Sequence, residues 1–134
     1  MKIIRSKDVK TEPASHEDPR DPGVLKKIML KAGELHAGHI QMVNWATLLP
    51  RKSFQNHYHE DMQEIFIILE DGAKGHIHGK EIELFKGDIL VVDPKEHHEL
   101  INMTDKPLNY VVFGIAGTGK GKSVNVKPSV ANEN

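Results

Sequence analysis

The sequence predicts an all-β domain, a sandwich or barrel of short strands. Three observations carry that expectation. Between positions 24 and 116 the chain is a series of apolar runs four to ten residues long, separated by turn-forming breaks rich in Gly, Pro and Asp. No window longer than ten residues repeats its apolar positions at the helical period. The length, 134 residues, suits one domain that buries a core without covalent cross-links.

The elements follow in chain order. Residues 1–23 read as a weakly ordered arm, because Glu12 to Gly23 packs three prolines and many charges into twelve residues. The barrel domain is expected over 24–116, with strands at 24–30, 40–49, 64–70, 75–79, 81–85, 88–92, 98–102 and 109–116. A turn at Gly79-Lys80 would set His78 opposite Glu81 and His76 opposite Glu83, as charge pairs on the outer face. Residues 117–134 form a small, polar tail expected to lie outside the core. Within it Gly121-Lys122-Ser123 resembles the end of a phosphate-binding loop. Ala116 stands where that loop needs glycine and no βα unit precedes it, so the nucleotide reading is set aside.

Composition excludes several functions. Eighteen Lys and Arg against nineteen Asp and Glu give a net charge of −1, so no basic field exists for nucleic acid or anionic lipid. The longest uninterrupted apolar stretch, Ile65 to Leu69, is five residues, too short to span a membrane. The first ten residues hold no apolar core of an export signal, so a cytoplasmic location is expected. With no cysteine, disulfides, thiolate metal sites and Cys nucleophiles are all excluded. Nine histidines stand out, four of them in two His-x-His pairs.

The pair at His57 and His59 carries the chemistry. Alternate residues of a strand face the same side, with Cα atoms roughly 6.6 Å apart, so two imidazoles can converge on one cation. Glu64 follows five residues later and joins that face if Glu60–Gln63 is a turn and Glu64 opens the next strand. Two imidazoles and a carboxylate suit a divalent first-row metal. Phe66 and Ile68 share the parity of Glu64 and line the interior. Ile65, Ile67 and Leu69 then face outward and need cover, from 24–30 or from a second subunit. Trp45, Phe54, Phe66 and Phe85 are core candidates first and pocket-wall candidates second. His76 and His78 flank the inward Ile77 and read as outer-face residues, while His36, His39 and His16 read as solvent-exposed.

A second stretch, Gly87 to Asn102, holds a strand, a turn at Pro94 and the adjacent His97 and His98. Strand alternation lets only one of these two histidines point inward. With both stretches in view, the chain resembles a small single-domain cupin over about residues 40–116. That family carries two motifs, roughly G-x5-H-x-H-x4-E-x6-G and G-x5-P-x-G-x2-H-x3-N. His57, His59 and Glu64 fall on the ligands of the first, and Gly87, His98 and Asn102 fall in register on the second. The register selects His98 over His97. Arg51, Asp93 and Lys95 depart from the pattern, Gly72 arrives one residue late and Pro94 is shifted by one; all are turn positions.

The resemblance implies a jelly-roll barrel holding one divalent transition metal per chain (Mn, Fe, Ni, Co or Zn) through His57, His59, Glu64 and His98. Four protein groups leave positions open for water or substrate. It further implies a small metalloenzyme acting on a keto acid, dicarboxylate or sugar derivative, of dioxygenase, decarboxylase or sugar isomerase type. The alternative is a non-catalytic, metal-dependent module that binds or senses a small ligand. Tyr58, His36 and His97 are the acid–base candidates, and Asn102 is either a support for the ligands or a turn residue. A homodimer is expected.

Overall fold

The computed structural model describes residues 1–23, 25–117 and 123–126. They form strands β1 (Lys2–Ile4), β2 (Glu12–Pro13), β3 (Leu25–Lys26), β4 (His39–Leu48), β5 (His57–His59), β6 (Met62–Ile68), β7 (Ala73–Ile77), β8 (Lys80–Leu84), β9 (Ile89–Val92), β10 (His98–Asn102), β11 (Leu108–Ala116) and β12 (Ser123–Asn125). The only helical turns among the described residues are short 3-10 segments at Ser6–Asp8 and Ala32–Glu34. Among the described residues no helix is long and apolar enough to cross a membrane.

Two five-stranded antiparallel sheets face each other, in the orders β1-β9-β6-β11-β4 and β12-β5-β10-β7-β8. Alternation along each strand supplies the core between them. Phe66, Ile68, Leu90, Val92, Leu108 and Val112 from the first sheet meet Ile77, Leu84 and Leu100 from the second. Burying each of these large side chains is worth roughly 1.5–3 kcal/mol. Opposite Glu64 on β11 is Gly114. A Cβ there would come within 2.3 Å of Met62 Sδ, so the missing side chain admits Met62.

The parity reading of β6 holds, and the cover for its outer face comes from the same chain. Ile65, Ile89 and Val91 are buried under Ile4, Met29, Leu30 and Leu35. The part of the arm that was expected to be weakly ordered therefore takes up structure. Residues 2–4 add β1 to the edge of β9, because Ile4 gains apolar neighbours there. Of the strand expected over 24–30, Leu25–Lys26 form β3, paired among the described residues with β2 alone, and Val24 lies outside the described residues. The apolar side chains of Met29 and Leu30 cap a sheet face instead of joining a sheet.

Other expectations need correction. Trp45 is 68% and Phe85 49% exposed, so neither belongs to the core. Trp45 lies on the outer face of the edge strand β4, beside Val43 at 65% and near Ile40 at 60%. The β7–β8 hairpin turns at His78-Gly79, with φ of 51° and 85°. Both central residues of such a two-residue turn need positive φ, and a turn one residue later would put Lys80 there in place of His78. The register is therefore His76 opposite Glu81 and Lys74 opposite Glu83. In the tail, residues 123–125 form β12 on the edge of β5, while residues 118–122 and 127–134 lie outside the described residues.

Candidate metal centre

The short strand β5 carries His57 and His59 on one face, and His98 opens β10 directly opposite His57. The turn before β6 is tighter than expected, occupying only Glu60 and Asp61, so β6 starts at Met62 and Glu64 is its third residue. Glu64 still points inward, from the opposite sheet. Its carboxylate Oε1 lies 2.8 Å from Nε2 of His59 and 2.8 Å from Nε2 of His98. One nitrogen or oxygen from each of His57, His59, Glu64 and His98 lies within 4.8 Å of all the others. Ligands about 2.1 Å from one ion sit roughly 3 Å apart at right angles and 4 Å apart when opposed, so small movements bring all four onto one ion.

The hydrogen bonds behind the rings settle which nitrogen faces inward. Nδ1 of His57 lies 2.7 Å from the Gln55 carbonyl, and Nδ1 of His98 lies 2.9 Å from the Glu96 carbonyl. A carbonyl only accepts, so both Nδ1 atoms carry the proton and donate it. In the metal-free protein Nε2 of His98 meets the Glu64 carboxylate at 2.8 Å as a hydrogen-bond donor, and a cation bound between them would take the place of that proton. With the proton gone, the neutral ring presents its Nε2 lone pair to the centre. This donor set fits a divalent transition metal. His59 is oriented differently: its Nδ1 lies 3.1 Å from the Ser123 hydroxyl on β12.

The electrostatics agree. Burial would raise the Glu64 carboxyl, but hydrogen bonds from His59 and His98 outweigh it and bring it down to about 2, so Glu64 is a carboxylate. Burial pushes the His57 imidazole below its ordinary value, and the nearby His98 and His59 push it further in the same direction. Neutral imidazoles and an ionised carboxylate are the forms that bind metal. The surroundings are apolar: the Phe54 ring centroid is 5.4 Å from that of His57, and Phe66 is 5.9 Å from His98.

The remaining sequence candidates lie elsewhere. His97 stacks on Tyr58 at 4.9 Å and 16°, with His78 edge-on at 5.1 Å, on the side of the sheet away from the cluster. His36 lies 3.4 Å from Asp61, beside the β5–β6 turn. His76 is held at the surface between Glu81 and Glu99. Asn102 is a turn organiser: its buried amide donates to the carbonyls of Leu48 and Lys106 and accepts from Thr104. Sequence reasoning missed Ser123 and Tyr110. Tyr110 stands inside the barrel 5.7 Å from Phe66, and burial, with the charge of Glu64, pushes its phenol up to about 12. That side chain is a neutral hydrogen-bond donor at physiological pH.

Two departures from the motif turn out to keep the backbone shape that glycine would give. Arg51 and Lys95 have φ of 61° and 69°, the left-handed region. In that conformation the Lys95 N–H donates to the carbonyl of His59 at 2.7 Å. The turn that precedes β10 is thereby tied to β5.

Comparison with known proteins places this geometry in context. Residues 44–114 match the family model described as cupin domain. A protein with a double-stranded β-helix domain from Klebsiella pneumoniae superposes with a TM-score of 0.57 at 21% identity, covering 64% of this chain and 74% of that one. A salicylate 1,2-dioxygenase from Pseudaminobacter salicylatoxidans gives a TM-score of 0.57 at 19% identity, over 66% of this chain and 26% of that one. The oxalate decarboxylase of Lactobacillus farciminis, in its formate complex, gives 0.56 at 16%, over 66% and 27%. This chain thus spans about a quarter of the length of those two enzymes. No curated protein matches the sequence.

Proposed function

Because this chain belongs to the cupin family, we propose that it is a small metal-dependent enzyme acting on an oxygen-rich small molecule, a keto acid, dicarboxylate or sugar derivative. His57, His59, Glu64 and His98 would hold one divalent transition metal. The observation that supports this most is the convergence of these four side chains, with Glu64 Oε1 2.8 Å from two imidazole Nε2 atoms whose rings are oriented from behind. When bound, the metal supplies Lewis acidity toward a carbonyl or carboxylate oxygen. The chain's own groups do the rest. Glu64 contributes the one negative charge of the set, Phe54 and Phe66 exclude water, and Tyr110 offers an O–H from the barrel wall.

The reading is tested by a melting screen of metal-loaded and metal-free protein with keto acids, dicarboxylates and sugar acids. A chelating ligand should stabilise only the loaded form, by about 2.7 kcal/mol at a hundredfold excess over Kd. Turnover of a stabilising compound identifies the reaction. No effect of any chelator on the metal would mean a closed, structural site.

One observation favours a second reading, a metal-dependent binding or sensing module. Tyr58 and His97 lie on the side of the sheet away from the cluster. Chelator binding without turnover supports this alternative.

We also propose that the protein is a homodimer through β4. This ten-residue edge strand exposes Ile40, Val43 and Trp45. A second copy related by a twofold axis supplies both a strand edge and the same apolar face, since such an interface is self-complementary.

A further inference from the structure

The three imidazoles differ in what orients them. For His57 and His98 the holding group is a main-chain carbonyl two residues upstream, at 2.7 Å and 2.9 Å. These contacts are local and form whenever the strand does. For His59 the group is the hydroxyl of Ser123, 64 residues away in sequence and 3.1 Å from Nδ1.

Ser123 reaches that position because β12 runs antiparallel along the whole of β5. Ser123 pairs with His59, Val124 with Tyr58 and Asn125 with His57. The pairing is extended by the Val126 N–H, which donates to the Asn56 carbonyl at 2.9 Å. Among the described residues β12 pairs with β5 alone and lies at the edge of its sheet. Its pairing is thus confined to the strand that carries two of the four candidate ligands.

We propose that Ser123 is a positioning residue for His59, and that β12 is a clip whose docking completes the metal centre. This rests on the metal-site reading given above. A hydroxyl can donate to Nδ1 or accept from it, so Ser123 fixes the ring plane without dictating a single tautomer. When the strand undocks, His59 loses the contact that holds its Nδ1, whereas His57 and His98 keep theirs. Metal affinity is therefore coupled to the C-terminal strand.

The experiment is a competitive titration of full-length protein with Zn2+ and Co2+ against a chromophoric chelator, together with the visible spectrum of the Co2+ form. Ser123→Ala should weaken binding 10- to 100-fold, the range seen when a group orienting a histidine ligand is removed. It should also shift the Co2+ bands, while the melting temperature of the metal-free protein stays the same. Ser123→Thr, which keeps the hydroxyl, should restore affinity to within about threefold of the starting protein, against the larger loss expected for alanine. Val126→Pro removes a β12–β5 hydrogen bond without touching the histidines. It should reproduce the loss, and combining it with Ser123→Ala should add little. Unchanged affinity and spectrum for Ser123→Ala would overturn the clip while leaving the metal site standing. Failure of the unmodified protein to bind either metal would instead overturn the site, and the clip with it.

Discussion

Glu64 and His98 meet at 2.8 Å across the two sheets, on strands that are not neighbours in either one. Glu64 comes from β6 in the first sheet and His98 from β10 in the second, so their contact ties the sheets together at the candidate site. Both are almost fully buried, which makes the pair a feature of stability as well as chemistry.

Acid should therefore destabilise the metal-free protein in two stages. The His57 imidazole is lowered in the folded state, so from about pH 6.5 downward the unfolded chain binds the extra proton and stability falls. The Glu64 carboxyl is lowered to about 2, so its contribution is complete above the unfolded value near 4.5 and is lost as pH falls toward 2. Urea midpoints measured between pH 8 and pH 3 should decline through both windows. Glu64→Gln should flatten the lower one. A midpoint constant across that range would contradict the assignment.

His76 should show the opposite sign. Its hydrogen bond to Glu81, and the one to Glu99, raise its pKa despite partial desolvation. The stabilisation is present below about pH 6.5 and fades as pH rises through the folded value. His76→Ala should cost a few tenths of a kcal/mol at pH 6 and nothing at pH 9, as expected of an exposed pair. A loss equal at both pH values would show packing, with no charge effect.

Lys95→Gly should stabilise the fold. A non-glycine residue in the left-handed region costs roughly 1–2 kcal/mol, and glycine's extra unfolded-state entropy returns roughly 0.5–1 of that. With φ at 69° for Lys95, the net gain is up to about 1.5 kcal/mol, read from a denaturant midpoint at unchanged slope. A lower midpoint would mean that the lysine side chain makes a contribution of its own.

Trp45→Glu should turn the proposed dimer into a monomer by light scattering, because it puts charge in the middle of an apolar face. An unmodified protein that is monomeric at every concentration would refute the interface.

Much of this was legible in the sequence because it is local. Strand parity places Glu64, Phe66 and Ile68 on one face, and the spacing of His57, His59 and Glu64 needs only a tight turn between β5 and β6. What escaped depends on distant partners. Nothing in a polar tail announces that Ser123 reaches His59. Alternation says that one face of a strand is apolar without saying which face is covered, so Trp45 read as core. The cover over Ile65 came from Ile4, Met29, Leu30 and Leu35, residues spread along the arm and the segment after β3. The β7–β8 register turned on which residue pair takes positive φ, and His78 was the less obvious choice.

The most direct test of the account is metal content by elemental analysis of purified full-length protein beside its histidine variants. One transition metal per chain is expected in the unmodified protein and in His76→Ala and His78→Ala, and none in the His57→Ala, His98→Ala double variant. A double variant that keeps a full equivalent of metal would contradict the assignment of His57, His59, Glu64 and His98 as the site.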